Sequence, residues 1–243
     1  LKKLKAEPLP VTEVYGLTNK VKELPENVLQ VLSMQWLANA ETPPEQLKTA
    51  LNSFASAYDT WITQQVKLSQ TLDVGYGKAA KRILGRQKVA LERIRKGIGI
   101  ITDPERREVR LAFQKAQEAM LTQFLWSKAS AETYALGEGN TEPLDIWEDN
   151  EAIMPQWRPF QLAFQLLVIE SLVDPDVPER ELVDLLWFPT GGGKTEAYLV
   201  LAAFEIIYRR IRHKERAGGT TVMMRYTLRL LTIQQFQRAA ALM

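Results

Sequence analysis

Hydrophobic residues in the first half of the chain return every three to four positions, and helix start signals separate the segments they mark. Val28, Leu29, Val31, Leu32 and Trp36 recur at helical spacing. A start signal at Thr42-Pro43-Pro44-Glu45 opens a second helix, whose face carries Leu47, Leu51, Phe54, Tyr58, Trp61 and Ile62. A third candidate runs from about Lys78 to Lys96, and a fourth from Asp103-Pro104-Glu105 through Phe113, Met120 and Leu121 to Trp126. Ahead of these, residues 1–24 hold Pro8, Pro10 and Gly16 among charges without a period and are expected to form a loosely held arm. Residues 25–135 are therefore expected to be a helical accessory domain.

The pattern then changes. Gly137-Glu138-Gly139-Asn140-Thr141-Glu142-Pro143 and Trp147-Glu148-Asp149-Asn150 break the period, which makes residues 136–156 a linker. Beyond it a helix over Phe160 to Leu172 precedes a short apolar run from Val183 to Phe188, which ends in glycines. A long helix to about Arg212, a Gly218-Gly219 turn, the β-branched run Thr220 to Met224 and a terminal helix from Arg229 complete the order. Strand, glycine loop, helix, strand is the order of a βαβ unit. The chain is thus expected to be α/β overall: a mainly helical first domain, then over 157–243 the truncated start of a RecA-like P-loop domain with a parallel sheet.

Composition narrows the chemistry. With 46% hydrophobic and 25% charged residues the chain has the makings of a packed core, and its net charge of +2 leaves any case for a polyanionic partner to local clusters. No cysteine is present, which removes disulfides, thiolate zinc sites and cysteine nucleophiles. Without a signal peptide or a bilayer-length apolar run, a cytoplasmic protein with no membrane partner is expected. The chain begins at Leu1 and ends in a running helix at Met243, so it reads as the front part of something longer.

The glycines carry the sharpest signal. In Pro189-Thr190-Gly191-Gly192-Gly193-Lys194-Thr195, consecutive glycines let backbone N–H groups turn inward on phosphate oxygens at the start of a helix. Lys194 is placed to reach the β- and γ-phosphates of ATP, and the Thr195 hydroxyl to join the shell of a Mg²⁺ ion. The plainer alternative is a glycine turn with Lys194 and Thr195 there by chance. The strand pattern before the loop and the amphipathic helix after it argue against that alternative. One departure stands out: Phe188 occupies the place where the phosphate-loop pattern has Gly or Ala.

Two neighbours narrow the class. Trp157-Arg158-Pro159-Phe160-Gln161 lies upstream, with Gln161 33 residues before Lys194, and resembles the R-P-[YF]-Q element of superfamily 2 helicases. That resemblance implies that Arg158 and Gln161 belong to the nucleotide site, with the Gln161 amide reading the adenine edge as donor and acceptor together. Downstream, Arg225-Tyr226-Thr227-Leu228-Arg229-Leu230-Leu231-Thr232-Ile233-Gln234 resembles helicase motif Ia, which implies DNA-backbone contacts from Arg225, Thr227, Arg229 and Gln234. The wording around both the loop and motif Ia is similar to the helicase subunit of the bacterial DISARM anti-phage defence system. This implies an ATP-dependent DNA helicase or translocase, engaging DNA ahead of RNA and working with a partner subunit of that system.

Hydrolysis also needs a carboxylate at the end of a later strand and a transition-state arginine. Glu148-Asp149 precedes the loop and follows no strand pattern. The chain alone is accordingly expected to hold nucleotide weakly without turning it over. The competing function is an ATP-gated DNA-binding or docking scaffold without motor activity. Lys78, Lys81, Arg82, Arg86, Lys88, Arg93, Arg95 and Lys96, opposed only by Glu92, fit either a phosphate track or a solvated basic exterior. Trp36, Trp61 and Trp126 are expected in the core, and His213 on a charged helix end at the surface.

Overall fold

The computed structural model describes residues 24–136, 155–187, 192–225 and 229–242, with the side chains of 27, 128–136, 229–232 and 234 lying outside the description. The arm is thus outside it apart from Leu24, and so is the linker apart from residues 136, 155 and 156. Among the described residues the fold is all-helical. It comprises α1 (Glu26–Leu32), α2 (Met34–Ala38), α3 (Pro44–Ser69), α4 (Gly77–Thr102), α5 (Arg107–Leu136), α6 (Pro159–Val173), α7 (Lys194–His213) and α8 (Arg229–Ala240).

The helical periods of the first half become real elements with shifted ends. The first expected helix breaks at Ser33, which is extended and whose side chain accepts from Trp36 N to start α2. Asp103 likewise ends α4 and accepts from Glu105 N, turning the chain toward α5. Leu47, Leu51, Phe54 and Ile62 of α3 are buried as expected. Trp36 packs against the core, but Trp61 and Trp126 are 42% and 49% exposed, which corrects the expectation for those two. Trp61 instead stacks on Tyr58 with ring centroids 5.8 Å apart.

The parallel sheet is not formed. No strand occurs among the described residues, and the one isolated bridge is antiparallel, between Ser33 and Gln156. Of the apolar run 183–188, the described residues 183–187 are irregular, with Val183, Leu185 and Trp187 95%, 82% and 79% exposed. Thr220–Met224 is irregular too, fastened by Arg209, which donates to the carbonyls of Gly218 at 2.7 Å and Thr220 at 3.1 Å. The α/β and RecA-like expectation is corrected accordingly. β-Propensity describes a side chain that suits a ladder, whereas a strand exists only where a neighbour supplies the other half of the hydrogen bonds. Neither run meets one.

A single buried cluster includes residues from Val28 to Tyr208 and joins helices from both halves of the chain. α4 packs on α6, α5 on α7, and α3 on α4. The α4–α6 crossing is unusually close: a Cβ built at Gly97 would lie 1.9 Å from the Leu166 carbonyl oxygen. Beside it, buried Arg93 donates to both carboxylate oxygens of Asp184 at 2.6 and 2.8 Å, pinning the 182–187 segment to α4. Lys96 bridges Glu170 at 3.3 Å and Glu179 at 3.2 Å.

Candidate functional site

The entry to α6 is fixed before the site begins. Trp157 N donates to Leu32 O at 2.7 Å and Met34 N to Pro155 O at 3.3 Å, so residues 155–157 pair with the break between α1 and α2. Trp157 itself is buried, and its indole N–H donates to Gln117 Oε1 at 2.6 Å. Gln117 Nε2 in turn donates to Gln165 Oε1 at 2.8 Å. Sealed from water, this polar chain between α5 and α6 holds Trp157 and the first turn of α6 in register.

That first turn reaches the glycine loop. Gln161 Oε1 accepts from Arg158 N at 2.8 Å, which caps the start of α6. The other end of the same amide donates to Gly193 O at 2.7 Å, and Arg158 Nη1 donates to Gly192 O at 2.6 Å. Two helix starts therefore meet, and the loop carbonyls on this side are taken by a guanidinium and an amide. Gly193 stands at the N-cap of α7 with φ 83° and ψ 27°, the left-handed region, and no side chain caps the helix. A Cβ at Gly193 would lie 2.7 Å from Gln161 Nε2, so the close approach also demands glycine.

Lys194 and Thr195 form the first turn of α7 and are both half-buried. The amides of that turn are the ones an α-helix cannot satisfy internally, and they carry the positive end of a 20-residue helix. Glu196 follows, its Oε1 paired with Arg238 Nη2 of α8. Without Arg238, the Glu196 carboxylate would oppose an anion at this helix start. Gln123 of α5 donates to the Arg238 carbonyl, which fixes α8 against the same corner.

Of the residues expected at the site, the structure thus brings together Arg158, Gln161, Gly192, Gly193, Lys194 and Thr195. Pro189, Thr190, Gly191 and Thr227 lie outside the described residues. Arg225 is exposed at the end of the irregular 220–225 segment, while the backbones of Arg229 and Gln234 belong to α8. The strand before the loop, part of the case against a plain turn, is not formed; the helix after it is. The Gln161 amide, which the helicase resemblance assigns to adenine, has its donor and its acceptor on this chain's own backbone. Trp157, Gln117, Gln165 and Arg238 were not anticipated as supports.

Among the described residues no group of three His, Cys, Asp or Glu is placed to hold a metal ion, and His213 is exposed, as expected. No helix among them is long and apolar enough to cross a membrane.

Fold and site together define a helical assembly that presents a glycine-capped, lysine-bearing helix start braced by an Arg-Pro-Phe-Gln turn. No protein-family model matches the chain. The chain is similar to the DISARM protein DrmA of Bacillus paralicheniformis, with 39% identity over 235 residues. That alignment covers 95% of this chain and 19% of the relative, so the chain spans about a fifth of the length of the curated protein it matches.

Proposed function

We propose that this segment supplies the ATP-binding helix start of a DNA-stimulated ATPase of the superfamily 2 helicase kind, acting with a partner subunit in a bacterial anti-phage defence system. The likeness to a DISARM protein supports the defence setting, and the motif resemblances support the motor. The observation that carries the reading is the bonded junction of the two motifs: Arg158 and Gln161 hold the Gly192 and Gly193 carbonyls at the root of a helix that opens with Lys194.

The residues fit a triphosphate. The place of a Cβ at Gly193 is taken by the Gln161 amide, which holds the turn, and the first-turn amides of α7 have no side-chain cap. Lys194 would neutralise the β- and γ-phosphate oxygens, and the Thr195 hydroxyl would face Mg²⁺. Bound ATP supplies the phosphoanhydride whose cleavage drives the motor. Arg158 and Gln161 act here as positioning residues, since both bond the loop. Arg225, Thr227, Arg229 and Gln234 would lie against the DNA backbone.

In the full-length protein, Lys194→Ala should lower DNA-stimulated ATP hydrolysis by about 100-fold or more, the scale of removing one preorganised charge partner from a reacting phosphate. Unchanged turnover would remove the assignment. An ATP-gated scaffold would bind nucleotide and DNA while showing neither strand displacement nor translocation, so those two assays separate it from a motor.

A further inference from the structure

α3 and α4 run past the core as a hairpin. Val66 is the last side chain of α3 packed against the core and Leu91 the first buried one of α4, so residues 67–90 project beyond the packed interior. Six cations stand on this projection, Lys67, Lys78, Lys81, Arg82, Arg86 and Lys88, against the single carboxylate of Asp73. At about 100° per residue the five on α4 fall within an arc of about 160°. Ala80, Ile83, Leu84 and Gln87 occupy the opposite side, where they line a groove with Leu68 and Leu72. The charges are thus gathered on the half of α4 turned away from α3.

Cations nearer the root of α4 behave differently. Arg93 pairs with Asp184, Arg95 with Asp59, and Lys96 with Glu170 and Glu179. Among the described residues no carboxylate lies within ion-pair distance of Lys78, Lys81, Arg82, Arg86 or Lys88, all of which are exposed. The root cations hold the fold together; the outer ones face away from it. Lys78 to Lys88 covers about 15 Å of helix. Each strand of duplex DNA carries one phosphate per about 3.4 Å of axis, a spacing that five cations over about 15 Å match.

We infer that the outward face of α4 is a DNA-backbone contact, separate from the glycine loop, that reads phosphate charge and not base sequence. It takes from the proposed function only the reading that the whole protein engages DNA. The test uses full-length protein carrying Lys78→Glu, Arg82→Glu and Arg86→Glu, with a fluorescent duplex titrated over a salt series in the absence of nucleotide. The slope of log affinity against log salt should become shallower by about 2 to 3, close to 0.9 for each lost contact. Reversal of three exposed cations elsewhere, Lys48, Arg107 and Arg216, should leave it unchanged, and thermal stability should be the same in both variants.

An unchanged slope in the hairpin variant would overturn the inference. So would an equal loss in the control, or poly-glutamate displacing the duplex as well as competitor DNA does, which would assign the face to an acidic protein. Loss of ATPase in Lys194→Ala with the salt slope intact leaves the contact standing, so the two readings fail separately.

Discussion

Gly193 is where backbone conformation, packing and proposed chemistry coincide. Its left-handed φ costs any L side chain about 1–2 kcal/mol, and the amide of Gln161 fills the place a Cβ would take. Gly193→Ala should therefore lower stability by about 1–2 kcal/mol, and weaken nucleotide binding in the full-length protein, as read by chemical denaturation and by fluorescent-nucleotide titration. Unaltered values for both would mean that the turn tolerates a side chain. This position was legible in the sequence because three consecutive glycines before Lys-Thr are hard to explain otherwise. The supports behind it were not: Trp157, Gln117 and Gln165 are linked across 40 and 48 positions, a separation that carries no period. Glu205 makes a pH prediction. Burial pushes its carboxyl above the usual range, against smaller opposite pulls from Arg180 and Arg209. The folded state thus keeps a proton that the unfolded chain releases, so stability falls as pH rises from the ordinary carboxylate value through the raised one. Glu205→Gln should raise Tm near pH 8 and lose that advantage below about pH 4. A gain of equal size at both would exclude titration as the cause.

The helices illustrate which sequence signals survive tertiary packing. Amphipathic periods placed α6 and α7 to within a residue or two and the starts of α3 and α4 as closely, because an apolar stripe and its start signals are local properties, while α4 runs on to Thr102, past the expected end at Lys96. The two expected strands, the apolar run 183–188 and the β-branched run 220–224, are not formed over their described residues because a ladder is not local. The close crossing of α4 on α6 was equally unreadable, since Gly97 is one of several glycines in α4 and only the facing Leu166 carbonyl gives it meaning. Gly97→Ala should push these helices apart and cost about 1–3 kcal/mol, the range for overpacking a fitted contact. For a domain of this size that is a drop of several degrees in Tm, and a variant as stable as the parent would show that the crossing has slack. Segment 182–187 depends on α4 too. Asp184→Asn should weaken its bidentate grip on Arg93 and speed chymotryptic cleavage near the exposed Leu185 and Trp187. An unchanged cleavage rate would place the anchor elsewhere.

At the scale of the whole molecule, helices from either side of the 136–156 linker share one buried cluster, with α5 lying along α7 and α4 along α6. The consequence is mechanical: the glycine-capped start of α7 is braced by the first turn of α6, and α6 packs on α4, the helix whose outer reach carries the basic row. Nucleotide at the first and DNA at the second would then act on a common core. A cradle for phosphate at the root of α7, as proposed, is testable by equilibrium binding without requiring turnover. A non-hydrolysable ATP analogue with Mg²⁺ should bind the full-length protein, and Lys194→Ala should weaken that binding by about 100-fold, near 2.7 kcal/mol. Equal affinity in parent and variant would contradict a phosphate cradle and leave Gly192, Gly193 and Lys194 as a structural turn.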